Sequence, residues 1–159
     1  NITAHVVGYV GVDNQGLAGI EKSMDTRLRD TSGNFAPLAI SLDVRLQSIM
    51  RQEMVKAMQE FGAIGATGII MDMKTGELLS MVSLPDFDPH KPGKNAGKAQ
   101  FNRASLGVYE MGSTFKSFTM AMGMEHGIVN MSSGYDATNP FKVSSFTIRD
   151  SHPEKRWLT

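Results

Sequence analysis

Ser113 and Lys116 are the residues of this chain whose types and spacing best suit nucleophilic chemistry. A serine hydroxyl is a weak nucleophile until a neighbouring base takes its proton. At the start of a helix, residue i+3 returns to the face of residue i, so the amine can reach the hydroxyl. A lysine acts as that base only when neutral as substrate arrives, and partial burial and a helix N-terminus both favour the neutral amine. The same N-terminus presents backbone N–H groups to a developing oxyanion. The bare Ser-x-x-Lys pattern is weak evidence, because 14 Ser and 9 Lys in 159 residues give about 0.8 matches by chance. Ser113 is nevertheless the single match, Gly112 supplies the freedom for a sharp turn before it, and a helical pattern follows. The competing reading is a serine that caps a helix while Lys116 sits solvated on an exposed face.

The elements that would hold this pair are legible in outline. Phe115, Phe118, Met122 and Met124 recur at helical steps after Ser113 and predict a buried face, with Gly127 as the stop. Upstream, Leu46, Met50, Met54, Ala57, Met58 and Phe61 predict an amphipathic helix over 44–61, opened by Asp43 as N-cap and closed by Gly62. Its polar face offers a weak Lys56/Glu60 surface pair. Residues 67–73 and 78–83 predict a β-hairpin around the turn Lys74-Thr75-Gly76-Glu77. Residues 4–12 and 37–42 read as further strands, 16–24 as a turn and short helix, 29–37 as a linker, 85–100 as a long proline-containing loop, and 145–148 as a short β piece. The 12 methionines read as flexible core filler.

Composition removes several function classes. The 16 basic and 16 acidic side chains balance, so no cationic surplus is available to displace counterions from nucleic acid. There is no cysteine, hence no disulfide, thiolate zinc site or thiol nucleophile. His5, His90, His126 and His152 lie far apart, and Asp86 and Asp88 lack the glycine and distal glutamate of a calcium loop, so no metal and no cofactor are expected. No apolar run approaches the ~18 residues of a membrane span.

Glu110-Met111-Gly112-Ser113-Thr114-Phe115-Lys116 resembles the active-site segment of class B penicillin-binding proteins, which cross-link peptidoglycan. The resemblance runs along nearly the whole chain. His5 to Gly11 and Gly16 to Glu21 resemble the end of that family's pedestal module, and Ser41 to Gln47 the start of its transpeptidase domain. Asp72 to Met81 resembles its first hairpin, Pro85-Asp86-Phe87-Asp88-Pro89 and Asn102-Arg103-Ala104 follow in the family's order, and 146–159 are most similar to the cell-division branch.

The resemblance implies an α/β (α+β) fold. Residues 1–37 are expected to be a pedestal remnant plus linker, and 38–159 the N-terminal portion of a transpeptidase domain whose nucleophile opens a buried central helix. It implies Ser113 as nucleophile, Lys116 as its base, stem peptides ending in D-Ala-D-Ala and β-lactams as acylating partners, and divisome membrane proteins as neighbours. It also implies a single-pass inner-membrane anchor outside this chain and a catalytic domain beyond the cytoplasmic membrane. Two further family motifs, Ser-x-Asn and Lys-Thr-Gly, belong after the nucleophile. Here Ser32-Gly33-Asn34 and Lys74-Thr75-Gly76 precede it and are assigned no catalytic role, so the chain is expected to be a poorly active fragment. Arg103 and Glu110 read equally well as supports of the active-site loop or as surface charges. The alternatives are an elongation-type transpeptidase, a β-lactam sensor of the same fold, or a non-catalytic divisome scaffold.

Overall fold

The computed structural model describes residues 1–33, 36–92 and 97–159. Asn34 of the Ser-x-Asn decoy, and Gly93 and Asn95 of the long loop, lie outside the described residues. The chain forms two compact units, Asn1–Val108 and Tyr109–Thr159. The architecture is mixed α/β.

In the first unit, helix α4 (Val44–Phe61) lies on an antiparallel hairpin of β1 (Ala66–Met71) and β2 (Leu78–Leu84). Both ends of α4 fall where the sequence predicts. The Asp43 carboxylate accepts the Arg45 N–H at 2.8 Å and the Leu46 N–H at 3.3 Å, and Gly62 closes the helix in the left-handed region at φ 62°. The inward face differs in detail from the predicted one. Phe61 is 76 % exposed, whereas Gln47 is buried, and the surface pair forms from Lys56 to Glu53 at 2.7 Å instead of to Glu60. Met50 and Met54 hang their sulfur atoms over Gly68 of β1, where a side chain would crowd them, so the thioethers fill the gap between helix and sheet. The hairpin pairs Ala66 with Leu84 through Ile70 with Ser80 and shifts register at Met71. Lys74 and Thr75 sit in the turn under the Asp72 carboxylate, which accepts both N–H groups, and Gly76 adopts φ 75°.

Two predicted strands are not strands. Within residues 4–12, Ala4–Val7 forms a single helical turn, α1, and only Val10 makes an isolated bridge, to Gly16. The β-branched valines favour a strand, but tertiary packing overrides that preference: α1 packs on β2 and on α2 (Gly19–Ser23), which α3 (Asp25–Leu28) follows. Gly8 ends α1 at φ 88°, and a Cβ there would collide with the Ala18 carbonyl. Residues 37–42 run beside β2 without a ladder; only the Ser41 hydroxyl reaches the Leu78 carbonyl, and the Asp43 N–H the Leu79 carbonyl. Pro37 removes one donor from that segment, and the remaining contacts come from its far end.

The loop after β2 returns through the short helix α5 (Arg103–Leu106), capped by the Asn102 side chain on the Ala104 N–H at 3.0 Å. The core of this unit is small and lies where these pieces meet: Ala4, Val82, Leu84 and Phe87 are its buried apolar residues.

The second unit contains the turn Gly112–Phe115, helix α6 (Lys116–Glu125), and two two-stranded ladders. In them β3 (Tyr135–Asp136) pairs with β6 (Trp157–Leu158), and β4 (Phe141–Val143) with β5 (Phe146–Ile148), the last coinciding with the predicted β piece. Gly127 follows the end of α6 at φ 67°, the stop the sequence predicts. Among the described residues, no helix is long and apolar enough to cross a membrane.

Candidate active site

Gly112 takes φ 54°, and the chain turns there into a 3-10 helix, Gly112–Phe115, that runs directly into α6. The Lys116 N–H donates to the Ser113 carbonyl, closing one three-residue turn between the two candidate residues. In a 3-10 turn side chains at i and i+3 eclipse, so Ser113 and Lys116 leave the backbone on the same face. Both side chains are exposed, and no hydrogen bond joins them among the described residues.

The predicted burial of this helix is not found. Phe115, Phe118 and Met122 are 58 %, 61 % and 52 % exposed, although the periodicity that suggested an inward face is real. The reason is local: within its unit α6 packs on the turn before it and on no strand, and the loop that follows touches it through Val129 at Gly123. A cavity of about 560 Å³ does form in this unit, between Asp136, Phe141, Ile148, Arg149, Asp150 and Lys155, but neither Ser113 nor Lys116 lines it.

The other sequence-selected residues have structural duties in the first unit. Asp86 receives a two-pronged bond from Arg51 of α4, at 2.6 and 3.1 Å, and its carboxylate holds the guanidinium above its usual pKa. Asp88 accepts the His90 N–H at 3.0 Å, a local turn. Phe87 is 5 % exposed and takes the His5 ring edge-on at 5.1 Å and the Tyr9 ring at 5.7 Å. Arg103 holds the preceding loop, donating to the Lys98 carbonyl at 3.1 Å, while its N–H donates to the Ser83 hydroxyl. Glu110 is exposed, as a surface charge would be. The Lys74-Thr75-Gly76 decoy is an exposed hairpin turn.

Sequence reasoning missed Gln47, which is 1 % exposed. Its amide donates to the Ile2 carbonyl at 2.7 Å and the Met81 carbonyl at 2.6 Å. Its oxygen accepts the Ser80 hydroxyl at 2.8 Å and the Met81 N–H at 2.9 Å. A usable signal was present, because Gln47 stands three and seven residues before Met50 and Met54, on the apolar stripe itself. A polar residue in that register needs buried partners.

Residues 66–156 match the penicillin-binding protein transpeptidase domain, so the chain belongs to that family. It is 42 % identical over 156 residues to the probable peptidoglycan D,D-transpeptidase FtsI of Caulobacter vibrioides, covering 98 % of this chain and 26 % of the relative. It is 29 % identical to the peptidoglycan D,D-transpeptidase FtsI of Escherichia coli K12, covering 94 % and 29 %. Among solved structures it is similar to penicillin binding protein 3 of Mycobacterium tuberculosis complexed with aztreonam. There the TM-score is 0.80 at 28 % identity, covering 96 % of this chain and 36 % of that one. The chain thus spans about a quarter to a third of the length of these relatives.

Proposed function

We propose that this chain is a segment of a serine-type peptidoglycan D,D-transpeptidase of septal wall synthesis, anchored in the inner membrane and acting beyond it, with Ser113 as nucleophile and Lys116 as its base. The observation that carries the reading is the single 3-10 turn between the two residues, within a chain that belongs to the transpeptidase family. The septal assignment rests on the likeness to FtsI proteins.

The chemistry is acyl transfer. The Ser113 hydroxyl adds to the penultimate D-alanine carbonyl of a stem peptide, and its proton passes to Lys116. The peptide C–N bond breaks, D-alanine leaves with a proton, and an ester to Ser113 remains. An amine of a neighbouring strand then attacks the ester, forms the cross-link and returns a proton to the serine oxygen. A β-lactam opens on the same hydroxyl and stops at the ester; the mycobacterial relative is seen complexed with aztreonam. Residues 1–37 are the pedestal remnant with its linker and 38–159 the N-terminal portion of the transpeptidase domain; divisome proteins are the expected neighbours.

Labelling with a fluorescent penicillin tests the reading. In the full-length protein the label should map to Ser113 by mass analysis and vanish in Ser113→Ala, whereas a scaffold would not label. The 159-residue chain, with no Ser-x-Asn or Lys-Thr-Gly after Ser113, should label slowly if at all. Rapid stoichiometric labelling of that chain would refute the need for the missing motifs.

A further inference from the structure

The most distant hydrogen bonds in the first unit converge on one residue of α1. The His5 ring meets the Ala99 carbonyl through Nε2 at 2.7 Å, so Nε2 carries the proton and donates. The His5 main-chain carbonyl accepts the Asn102 amide at 3.3 Å. The other end of that amide accepts the Ala104 N–H and opens α5, and the Asn102 carbonyl accepts the Leu106 N–H at 2.9 Å. Each terminus of the Asn102 side chain therefore has a separate duty, one toward α1 and one toward α5. The ring of His5 is fixed in turn by its edge-on packing against buried Phe87. α5 ends at Leu106, six residues before Gly112 opens the nucleophile's turn.

We infer that His5 and Asn102 are positioning residues, a clasp through which the N-terminal segment holds the stretch of chain that leads into the Ser113 turn. This rests on the transpeptidase reading for its consequence, though not for its geometry. The clasp joins two segments more than ninety residues apart, one in the expected pedestal remnant and one in the expected transpeptidase portion. It ties the N-terminal segment to α5, the helix that precedes the Ser113 turn in chain order. Displacements of about 1 Å at a reacting group cost large factors in rate, so a loosened entry should slow acylation more than it lowers stability.

The clasp also has a pH dependence with a defined sign. Burial lowers the His5 pKa from 6.5; Arg103 of α5 acts in the same direction, while the Ala99 bond and Asp86, itself paired with Arg51, oppose it. Neither Glu21 nor Lys22 of α2 contributes, and β2 carries no titratable side chain. A lowered pKa in the docked state means the undocked histidine takes up its proton first. Docking is therefore strongest above pH 6.5 and weakens as pH falls below it.

The test uses the full-length protein. Acylation by a fluorescent penicillin is followed from pH 5.5 to 8, alongside hydrogen exchange of residues 99–106 and the melting temperature. Asn102→Asp keeps the cap on Ala104 but cannot donate to the His5 carbonyl; it should slow acylation about tenfold and speed exchange at 99–106. His5→Gln keeps an N–H for Ala99 but does not titrate; it should hold the wild-type rate at pH 8 and lose less of that rate than the wild type does as pH falls toward 5.5. His5→Ala should slow acylation at every pH. Wild-type rates and exchange in Asn102→Asp and His5→Ala would overturn the clasp, as would rate losses that only track the melting temperature. If the wild-type protein does not label at Ser113, the transpeptidase reading fails, and the exchange arm still decides whether the clasp holds.

Discussion

Replacing Gln47 by leucine should be among the most damaging single changes in the first unit. The side chain is 1 % exposed and makes four hydrogen bonds, two donated and two accepted. At about 1 kcal/mol net for each bond, their loss costs about 4 kcal/mol. The leucine recovers about 1–2 kcal/mol as buried apolar surface, which leaves a destabilisation of about 2–3 kcal/mol. That is a large share of the stability of an ordinary domain. The assay is urea unfolding followed by circular dichroism, comparing midpoints at equal slope. Ser80 gives the internal control, because its fully buried hydroxyl donates to Gln47. Ser80→Ala combined with Gln47→Leu should cost about 1 kcal/mol less than the two changes added. A Gln47→Leu midpoint shift worth less than about 0.5 kcal/mol, or strict additivity in the cycle, would refute the reasoning.

Gly8→Ala places a methyl group into the Ala18 carbonyl from a left-handed backbone position, so it should cost about 3 kcal/mol or more and lower the melting temperature by several degrees. Asp43 is pulled down to a pKa of about 2, first by the Arg45 side chain and then by the backbone N–H groups it caps. A depressed carboxylate contributes stability above its unfolded value of 3.8 that is lost as pH falls through about 2; acid titration of the melting temperature should show this slope in the wild type and less of it in Asp43→Ala.

The sequence was most legible where local chemistry and long-range packing agree. Helix α4 has a capping carboxylate, a sustained period and a terminal glycine, and both its ends fall where those signals place them. The hairpin is written into two apolar runs around the Lys74-Thr75-Gly76-Glu77 turn, and the structure adds the Asp72 carboxylate that holds it. Legibility failed where tertiary contacts decide. The valines of α1 favour a strand in isolation, yet their backbone closes a helical turn against β2 and α2. The face of α6 shows the same limit in reverse, since periodicity states which residues would go inward but not whether a neighbour is present to receive them. At the candidate site, the Ser113-to-Lys116 spacing was readable from composition and order alone. In the first unit, Gln47 left a signal in its place on the apolar stripe, but Phe87 and the His5 clasp did not, because each depends on partners about 80 to 100 residues away that no local pattern encodes.

The turn that carries Ser113 has three residues per revolution, and this makes it a ratchet with one tooth. A residue inserted or deleted between Ser113 and Lys116 would swing the amine about a third of a revolution away from the hydroxyl. The turn therefore fixes the number of residues between the two at two, Thr114 and Phe115. Drift in this segment should show as exchange of side chains at constant length, even where the flanking loops grow or shrink.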